Sequence, residues 1–197
     1  MKNQGWQTKS FAEVLQKTET VNPLQSPERE FDYIDVSSVS NETFEIRETQ
    51  RLKGKDAPSR ARRLVRQNDV LFATVRPTLR RIAVVPAELD QQVCSTGFFV
   101  LRPKPTLNYK YLFYWLFTDG FSGTMEALQK GASYPAVNDG EVKAQLISFP
   151  PPAEQTRIVR TLEEAFDGIA KANAEKKIAA LEELKKSLLH QAFSGQL

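Results

Sequence analysis

The side chains most able to do chemistry in this sequence form a concentrated run of cations. Between Arg51 and Arg81 there are ten Lys and Arg residues and two acids, Asp56 and Asp69, so this stretch carries a net charge of +8. The remaining seventeen basic and 22 acidic residues give −5, and the overall net charge of +3 hides this asymmetry. A concentrated basic stretch is typical of a phosphate-binding surface. A solvated, salt-bridged face is the alternative, and the low acid count favours nucleic acid.

Residues that could support catalysis form only weak patterns. Asp119 followed by Glu141-Val142-Lys143 fits a nuclease-like pattern so loose that charged chains contain it by chance. Asn22-Pro23-Leu24-Gln25 lacks the second proline and the aromatic residue of the Asn-Pro-Pro-aromatic box of adenine methyltransferases. The single cysteine, Cys94, permits neither an internal disulfide nor a cysteine-based zinc site, and the lone His190 has no partner nearby in sequence. We therefore expect no catalytic residues and no metal site; a nuclease or methyltransferase fragment is the alternative.

The composition is that of an ordinary globular protein. Of the 197 residues, 41% are hydrophobic and 26% are charged, which argues against wholesale disorder. The first six residues have no apolar core of a secretory signal, and the longest apolar run, 111–117, is far shorter than the ~20 residues of a membrane span. We expect a cytoplasmic protein.

The first 150 residues predict an α+β domain. Successive strands lack helical periods between them, which favours an antiparallel or mixed sheet over βαβ units. Asn68-Asp69 predicts a turn with positive φ before the strand that Pro77 ends. Ser10 is the predicted N-cap of the first helix, and Arg62 and Arg63 are placed on a short helix. The predicted strands are 31–36, a short one around Phe44 and Ile46, 70–75, 81–85, 93–101 and 146–149, and the predicted helices are 6–17, 108–118 and 125–130.

The last part of the chain predicts one long helix. Three prolines, 150–152, mark a boundary between domains 1–150 and 151–197. From Ala153 to about Gln191 there is no proline, and at a ~1.5 Å rise per residue the helix would extend roughly 55–60 Å. Its apolar stripe, which slips near Asn173, favours a coiled coil over a helix folded back on its own domain. The residues expected to dimerise or dock partners are Ile158, Leu162, Ile169, Ile178, Leu181, Leu184 and Leu188.

A series of short motifs follows one another along nearly the whole chain. They are Trp6, Tyr33-Ile34, Asn68-Asp69-Val70-Leu71-Phe72 with Arg76-Pro77, Ser95-Thr96-Gly97-Phe98 through Leu101-Arg102-Pro103, Pro151-Pro152-Ala153-Glu154-Gln155-Thr156-Arg157-Ile158-Val159, and the tail 188–197. Individually each is weak, but in this order they resemble the specificity (S) subunit of type I restriction-modification systems. Asn68 stands where the family usually has glycine, and asparagine tolerates the same backbone conformation.

The resemblance implies a non-catalytic DNA-recognition subunit. It implies a target recognition domain followed by a long C-terminal coiled-coil helix, which together bind a bipartite site on double-stranded DNA. It further implies that the chain positions modification (adenine methyltransferase) and restriction subunits. Those partner subunits, not this chain, would use S-adenosylmethionine, ATP and Mg. Family members carry two such units in tandem and this sequence has one, which implies a half-subunit that forms a homodimer and recognises an interrupted palindrome.

The DNA-binding residues expected on this basis fall into two sets. The basic segment 51–66 would contact phosphates, and side chains near Arg76, Arg80 and the 130–138 loop would reach base edges. A coiled-coil scaffold whose N-terminal domain binds protein is the remaining alternative, and weak dependence of binding on salt would distinguish it. The candidates are Lys53, Lys55, Arg60, Arg63, Arg76, Arg80, Lys130, Ser133 and Tyr134.

Overall fold

The chain forms two structural units, Met1–Thr156 and Arg157–Leu197. A computed structural model describes residues 5–131 and 133–193, with the side chains of 179–182 and 184–193 left out of the description. The first unit has the expected α+β composition. The division lies six residues after the boundary predicted at 150/151, and the separate roles assigned to the two segments stay predictions.

Nine strands and five helices make up the described residues. The strands are β1 Gln7–Ser10, β2 Glu30–Ile34, β3 Gln50–Lys53, β4 Ala61–Leu64, β5 Val70–Ala73, β6 Ile82–Val84, β7 Val93–Ser95, β8 Phe98–Leu101 and β9 Leu146–Phe149. The helices are α1 Phe11–Val14, α2 Tyr109–Trp115, α3 Asp119–Leu128, α4 Asp139–Lys143 and α5 Pro152–Phe193.

The strands are divided among three small sheets in the described residues, instead of one. β1 pairs with β9, β6-β5-β8 form an antiparallel sheet, and β3-β2-β7-β4 form a sheet in which only β2 and β7 are parallel. One apolar cluster, which includes Ile34, Leu71, Cys94 and Phe98, connects the last two sheets. Cys94 is a core residue, and burial raises the pKa of its thiol. The β5 and β8 side chains are buried on both faces, which explains their continuous apolar sequences.

The strand predicted for 93–101 is wrong as a single element. The chain turns at Thr96-Gly97 and passes from β7 in one sheet to β8 in another. A Cβ atom on Gly97 would lie 2.7 Å from Cγ2 of Val36, so this turn needs a residue without a side chain. An apolar run does not reveal such a change of sheet, because both strands are buried.

Three other local predictions also need correction. The helix predicted for 6–17 spans only Phe11–Val14, because residues 7–10 pair with β9; Ser10 does precede it, and its N–H and Oγ donate to Glu13 Oε2 at 2.8 and 2.7 Å. Arg62 and Arg63 lie in strand β4, not in a helix. The strand expected near Phe44 is a single Val39–Ile46 bridge. In addition, α3 begins earlier than predicted, at Asp119, and α4 was not predicted.

A buried ion pair fixes the start of β5 to the end of β8. Nε and Nη2 of Arg102 donate to Oδ1 and Oδ2 of Asp69, both at 2.8 Å, and Asp69 is only 1% exposed. Asn68 before it has φ of 68°, as the turn prediction required. The Arg66 N–H donates to the same Asp69 carboxylate at 2.8 Å, and Nη1 of Arg102 donates to Glu19 at 2.6 Å. The hydrogen bond with Asp69 raises the pKa of Arg102, so the guanidinium stays charged.

The beginning of α5 is held by one buried side chain. Gln155 is fully buried, and its Oε1 accepts from the Asn108 N–H at 2.7 Å. Its Nε2 donates to the carbonyls of Thr106 and Pro150 at 2.9 and 2.8 Å. Both donors and one acceptor position of this amide are used, a combination that glutamine supplies and glutamate does not.

We expect Asp69→Ala to lower the free energy of unfolding by about 3–5 kcal/mol, because it leaves the buried Arg102 guanidinium without its partner. Urea denaturation measures this change. Glu28→Ala is the matched control, since Glu28 forms exposed ion pairs with Lys53 and Lys55 that are worth less than about 1 kcal/mol. Equal decreases in the free energy of unfolding for the two variants would show that the Asp69–Arg102 pair does not stabilise the sheet.

Candidate nucleic-acid interface

Two loops join at one end of the three-stranded sheet. The first, residues 74–81, follows β5, and the second, described residues 130–131 and 133–138, lies between α3 and α4. Backbone hydrogen bonds connect them: the Arg76 N–H donates to the Pro135 carbonyl at 2.7 Å, and the Val137 N–H donates to the Thr74 carbonyl at 3.0 Å. The second loop is closed by reciprocal bonds of 2.9 Å between Lys130 and Ala136. We call the surface formed by these two loops the two-loop surface.

Arg76 and Arg80 flank a rigid turn on this surface. The residues between them, Pro77–Leu79, form one turn of 3₁₀ helix, and both arginines are exposed. Both also adopt the left-handed backbone conformation, with φ of 50° and 51°. Non-glycine residues in this conformation carry backbone strain of roughly 1–3 kcal/mol, which the surrounding structure must balance. Strain of this kind is concentrated at functional sites in proteins.

The second loop brings an aromatic ring and a cation to the same surface. The ring of Tyr134, which is 72% exposed, lies 5.0 Å from the Arg76 guanidinium carbon. Arg76 Nη2 also donates to the exposed Ser133 carbonyl at 3.4 Å. Lys130 is highly exposed and forms a 3.3 Å ion pair with Glu141. Five of the predicted residues, Arg76, Arg80, Lys130, Ser133 and Tyr134, are therefore brought together.

Backbone hydrogen bonds place Arg60 at the same end of the three-stranded sheet as the two loops. Its carbonyl accepts from the Thr96 N–H at 2.9 Å, and the neighbouring Gly97 carbonyl accepts from both the N–H and the hydroxyl of Thr74 at 2.9 and 3.0 Å. Arg60 is exposed, and no ion pair to it occurs among the described residues. It is the one candidate from segment 51–66 that the fold places beside the two loops with its charge uncompensated.

The other three candidates from segment 51–66 have carboxylate partners. Lys53 and Lys55 pair with Glu28 at 2.9 and 3.1 Å, and these contacts lower the pKa of the Glu28 carboxyl. They belong to the β3 edge of the four-stranded sheet, about 14 Å and three strand spacings from the β4 edge. On β4, the largely buried Arg63 donates to both oxygens of Asp139 at 3.1 and 2.9 Å.

Most of the remaining cations in the basic stretch also have partners. Arg51 pairs with Glu30 and Asp32, and Arg66 with Glu19. Arg81 donates to main-chain carbonyls of residues 36, 37 and 39. Acids distant in sequence thus compensate much of the +8 charge. The exposed cations of this stretch without an ion pair among the described residues are Arg60, Arg76 and Arg80, which lie on or beside the two-loop surface.

One residue of this surface, Leu79, was missed by the sequence analysis. It is 42% exposed, although apolar residues in that region are otherwise strand and core residues. The sequence could have indicated this exposure, because Leu79 follows Pro77, which ends the predicted strand, and is next to the charged Arg80. Among the described residues no group of acidic, histidine and cysteine side chains could hold a metal ion.

Helix α5 carries the residues predicted to dimerise. Ile158 and Leu162 are half-buried, whereas Ile169 and Ile178 are 57% and 58% exposed. Nine residues separate these two isoleucines, which places them about 180° apart around a straight helix. The side chains of Leu181, Leu184 and Leu188 lie outside the described residues. No described helix is long and apolar enough to span a membrane.

Comparison with known proteins identifies the family. The family model described as the type I restriction modification DNA specificity domain matches residues 3–183. The specificity subunit of the Escherichia coli type I restriction enzyme EcoDI is 27% identical over 131 residues, which are 65% of this chain and 28% of that protein. The chain belongs to the type I restriction-modification DNA specificity family.

Solved structures agree with this assignment. The HsdS subunit from Thermoanaerobacter tengcongensis is 37% identical with a TM-score of 0.80, over 86% of this chain and 44% of that one. A chain from a structural study of complex assembly and conformational transition of the type I R-M system is 35% identical with a TM-score of 0.85, over 98% of this chain and 49% of that one. The present chain thus spans less than half the length of these relatives.

The left-handed conformation of Arg80 predicts an unusual response to glycine. We expect Arg80→Gly to be about 1 kcal/mol more stable than Arg80→Ala in urea denaturation, because only glycine adopts positive φ without steric cost. At Arg60, which has no positive φ, the order should reverse. If the glycine variant is less stable than the alanine variant at both Arg80 and Arg60, the backbone of Arg80 is not strained.

Proposed function

We propose that this chain is a non-catalytic DNA sequence-recognition unit of a type I restriction-modification system. Its two-loop surface binds double-stranded DNA, and its long helix pairs with a second copy and docks the modification and restriction subunits. S-adenosylmethionine, ATP and Mg act on those partner subunits in this proposal. The observation that carries it is the convergence of five predicted residues, distant in sequence, on one exposed and cationic surface.

The chemistry of this surface suits a nucleic acid. Exposed arginine and lysine side chains contact phosphates, and arginine is the residue that most often recognises guanine in the major groove. The exposed ring of Tyr134 adds apolar area beside the charge. The loops are anchored by backbone hydrogen bonds, so their side chains are available to a ligand.

Segment 51–66 has a smaller part in this proposal than the sequence suggested. Arg60 remains a phosphate contact. Lys53, Lys55 and Arg63 could reach phosphate only by exchanging a carboxylate partner for it, and their contribution stays a prediction.

We expect the combined variant Arg76→Ala and Lys130→Ala to weaken binding to a random-sequence duplex and to reduce its salt dependence. Each lost phosphate contact should make the slope of log affinity against log salt shallower by about 0.9, so the pair should change it by about 2. Fluorescence anisotropy with the full chain, titrated between roughly 50 and 200 mM salt, measures the slope.

The control is Lys17→Ala combined with Lys104→Ala, which removes the same charge. Both lysines are exposed and flank the Arg102 end of the three-stranded sheet, about 16 Å from Thr74 along β5. If the control variant alters the slope as much as the test variant, DNA binding is not localised to the two-loop surface. If wild-type binding is independent of salt, the DNA-recognition proposal fails.

Pairing of two copies through α5 is supported by the exposed apolar residues of this helix. Ile169 and Ile178 remain open to water in a single chain, and burying them would stabilise an assembly. Two copies would together supply a length similar to that of the solved chains, of which one copy covers 44% and 49%. Two-fold symmetry of the protein would then require an interrupted palindrome as the DNA site.

We expect the full chain to be a dimer in light scattering over a concentration series, and Ile178→Glu to shift it to monomer, because a buried unpaired carboxylate is costly. Asn173→Glu adds the same charge at an exposed polar position and should leave the dimer intact. A wild-type chain that is monomeric at every concentration would exclude the homodimer and the palindromic site, without affecting DNA binding.

A further inference from the structure

The rigid turn of the two-loop surface points to a division of labour among its side chains. Resting on the proposed function, we infer that Leu79 and Arg80 are the residues that determine base specificity. Leu79 contacts the methyl group of a thymine, and Arg80 donates hydrogen bonds to O6 and N7 of a guanine. Arg76 is a positioning residue, which Tyr134 holds in place and which does not distinguish bases.

The backbone of this turn is held on both sides. Pro77 is buried and has a restricted φ, and its carbonyl accepts from the Arg80 N–H at 3.0 Å. The Arg76 carbonyl accepts from the Leu79 N–H at 2.9 Å. Strained left-handed residues, such as those at both ends of this turn, persist only where surrounding contacts determine the backbone conformation, so these hydrogen bonds favour a single conformation of the turn. Side chains on a rigid turn reach a base edge with little loss of entropy, which is what specific recognition requires.

Leu79 and Arg80 present opposite chemistry at adjacent exposed positions. Arg80 is exposed and has no hydrogen bond or ion pair from its side chain to any described residue. Five donors of a planar guanidinium are therefore free to recognise the two acceptors of guanine. A single exposed leucine is ordinary on a protein surface, but one fixed beside a free arginine is placed to contact the thymine methyl of a neighbouring base pair.

Arg76 is committed to the protein in a way that Arg80 is not. Its guanidinium stacks over Tyr134 and donates to the Ser133 carbonyl, while its N–H donates to the Pro135 carbonyl. Turning this side chain toward a base would break the contacts with Tyr134 and Ser133. Its charge can still attract a phosphate from where it lies, and phosphate contacts position a protein without reading sequence.

The test begins with selection of the preferred site from a random duplex pool by the full chain. In the selected site we expect Arg80→Ala to lower affinity roughly 5- to 150-fold and to abolish the preference at one guanine position. Replacing that guanine by 7-deazaguanine, which lacks N7, should weaken binding of the wild type and not of Arg80→Ala. Arg80→Gln should change the selected base at this position from guanine to adenine, because glutamine pairs with N6 and N7 of adenine.

Leu79 is tested through the thymine methyl. Replacing one thymine of the selected site by uracil removes only that methyl group and should weaken the wild type. Leu79→Ala should bind the thymine and uracil sites equally. Tyr134→Leu should weaken all sequences by the same factor with an unchanged selected site. Tyr134→Phe, which keeps the ring, should restore most of the affinity lost in Tyr134→Leu, and the control Lys17→Ala should change neither affinity nor the selected site.

The outcomes separate this inference from the proposed function. If the Leu79 and Arg80 variants weaken every sequence equally and select the wild-type site, the assignment of base readers is wrong and DNA recognition by the chain stands. The assignment of base readers is also wrong, and DNA recognition still stands, if Arg76→Ala changes which base is selected. If the wild-type chain selects no site and its binding is independent of salt, the proposed function itself fails.

Discussion

The buried ion pair between Asp69 and Arg102 is the constraint on which the rest of the first structural unit depends. It joins the residue before β5 to the residue after β8, and so helps to set the register of these two neighbouring strands of the three-stranded sheet. A charge buried this deeply is tolerated only with its full set of partners, which here include Arg66 and Glu19. The hydrogen bond from Arg102 also lowers the pKa of Glu19, so this carboxylate is ionised at neutral pH. Two motifs separated by more than thirty residues are thus parts of one interaction.

A register fixed at one end of these strands places the loops at the other end. β5 runs four residues from the ion pair to Thr74, whose N–H and hydroxyl bind Gly97 and whose carbonyl binds Val137. The loops are attached to the sheet almost entirely through main-chain groups. The identities of residues 78–80 and 133–134 are therefore free to differ without loss of these bonds, which separates stability of the fold from the choice of ligand.

The sequence could predict the features that depend on local chemistry. Asn68-Asp69 has the positive φ that its residue type tolerates, and the long proline-free segment is a helix from Pro152 to Phe193. It could not predict features decided by tertiary partners. Residues 7–10 are a strand because β9 lies beside them, and the run 93–101 is two strands because Gly97 lets the chain approach Val36 closely. The candidate site shows the same limit. The charge count predicted a basic region, but it could not predict which of its cations Glu28, Asp139 and Glu19 compensate.

Helix α5 adds a second constraint, which acts on assembly. Its first turn is held by the buried amide of Gln155, which accepts one hydrogen bond and donates two to the main chain of the first structural unit. Further along, the apolar stripe changes sides near Asn173, and Ile169 and Ile178 point in opposite directions. A straight helix cannot bury both residues against one flat surface. Satisfying both requires a partner that winds around the helix or two different partners, and the proposed assembly, with a second copy and a modification subunit, supplies two.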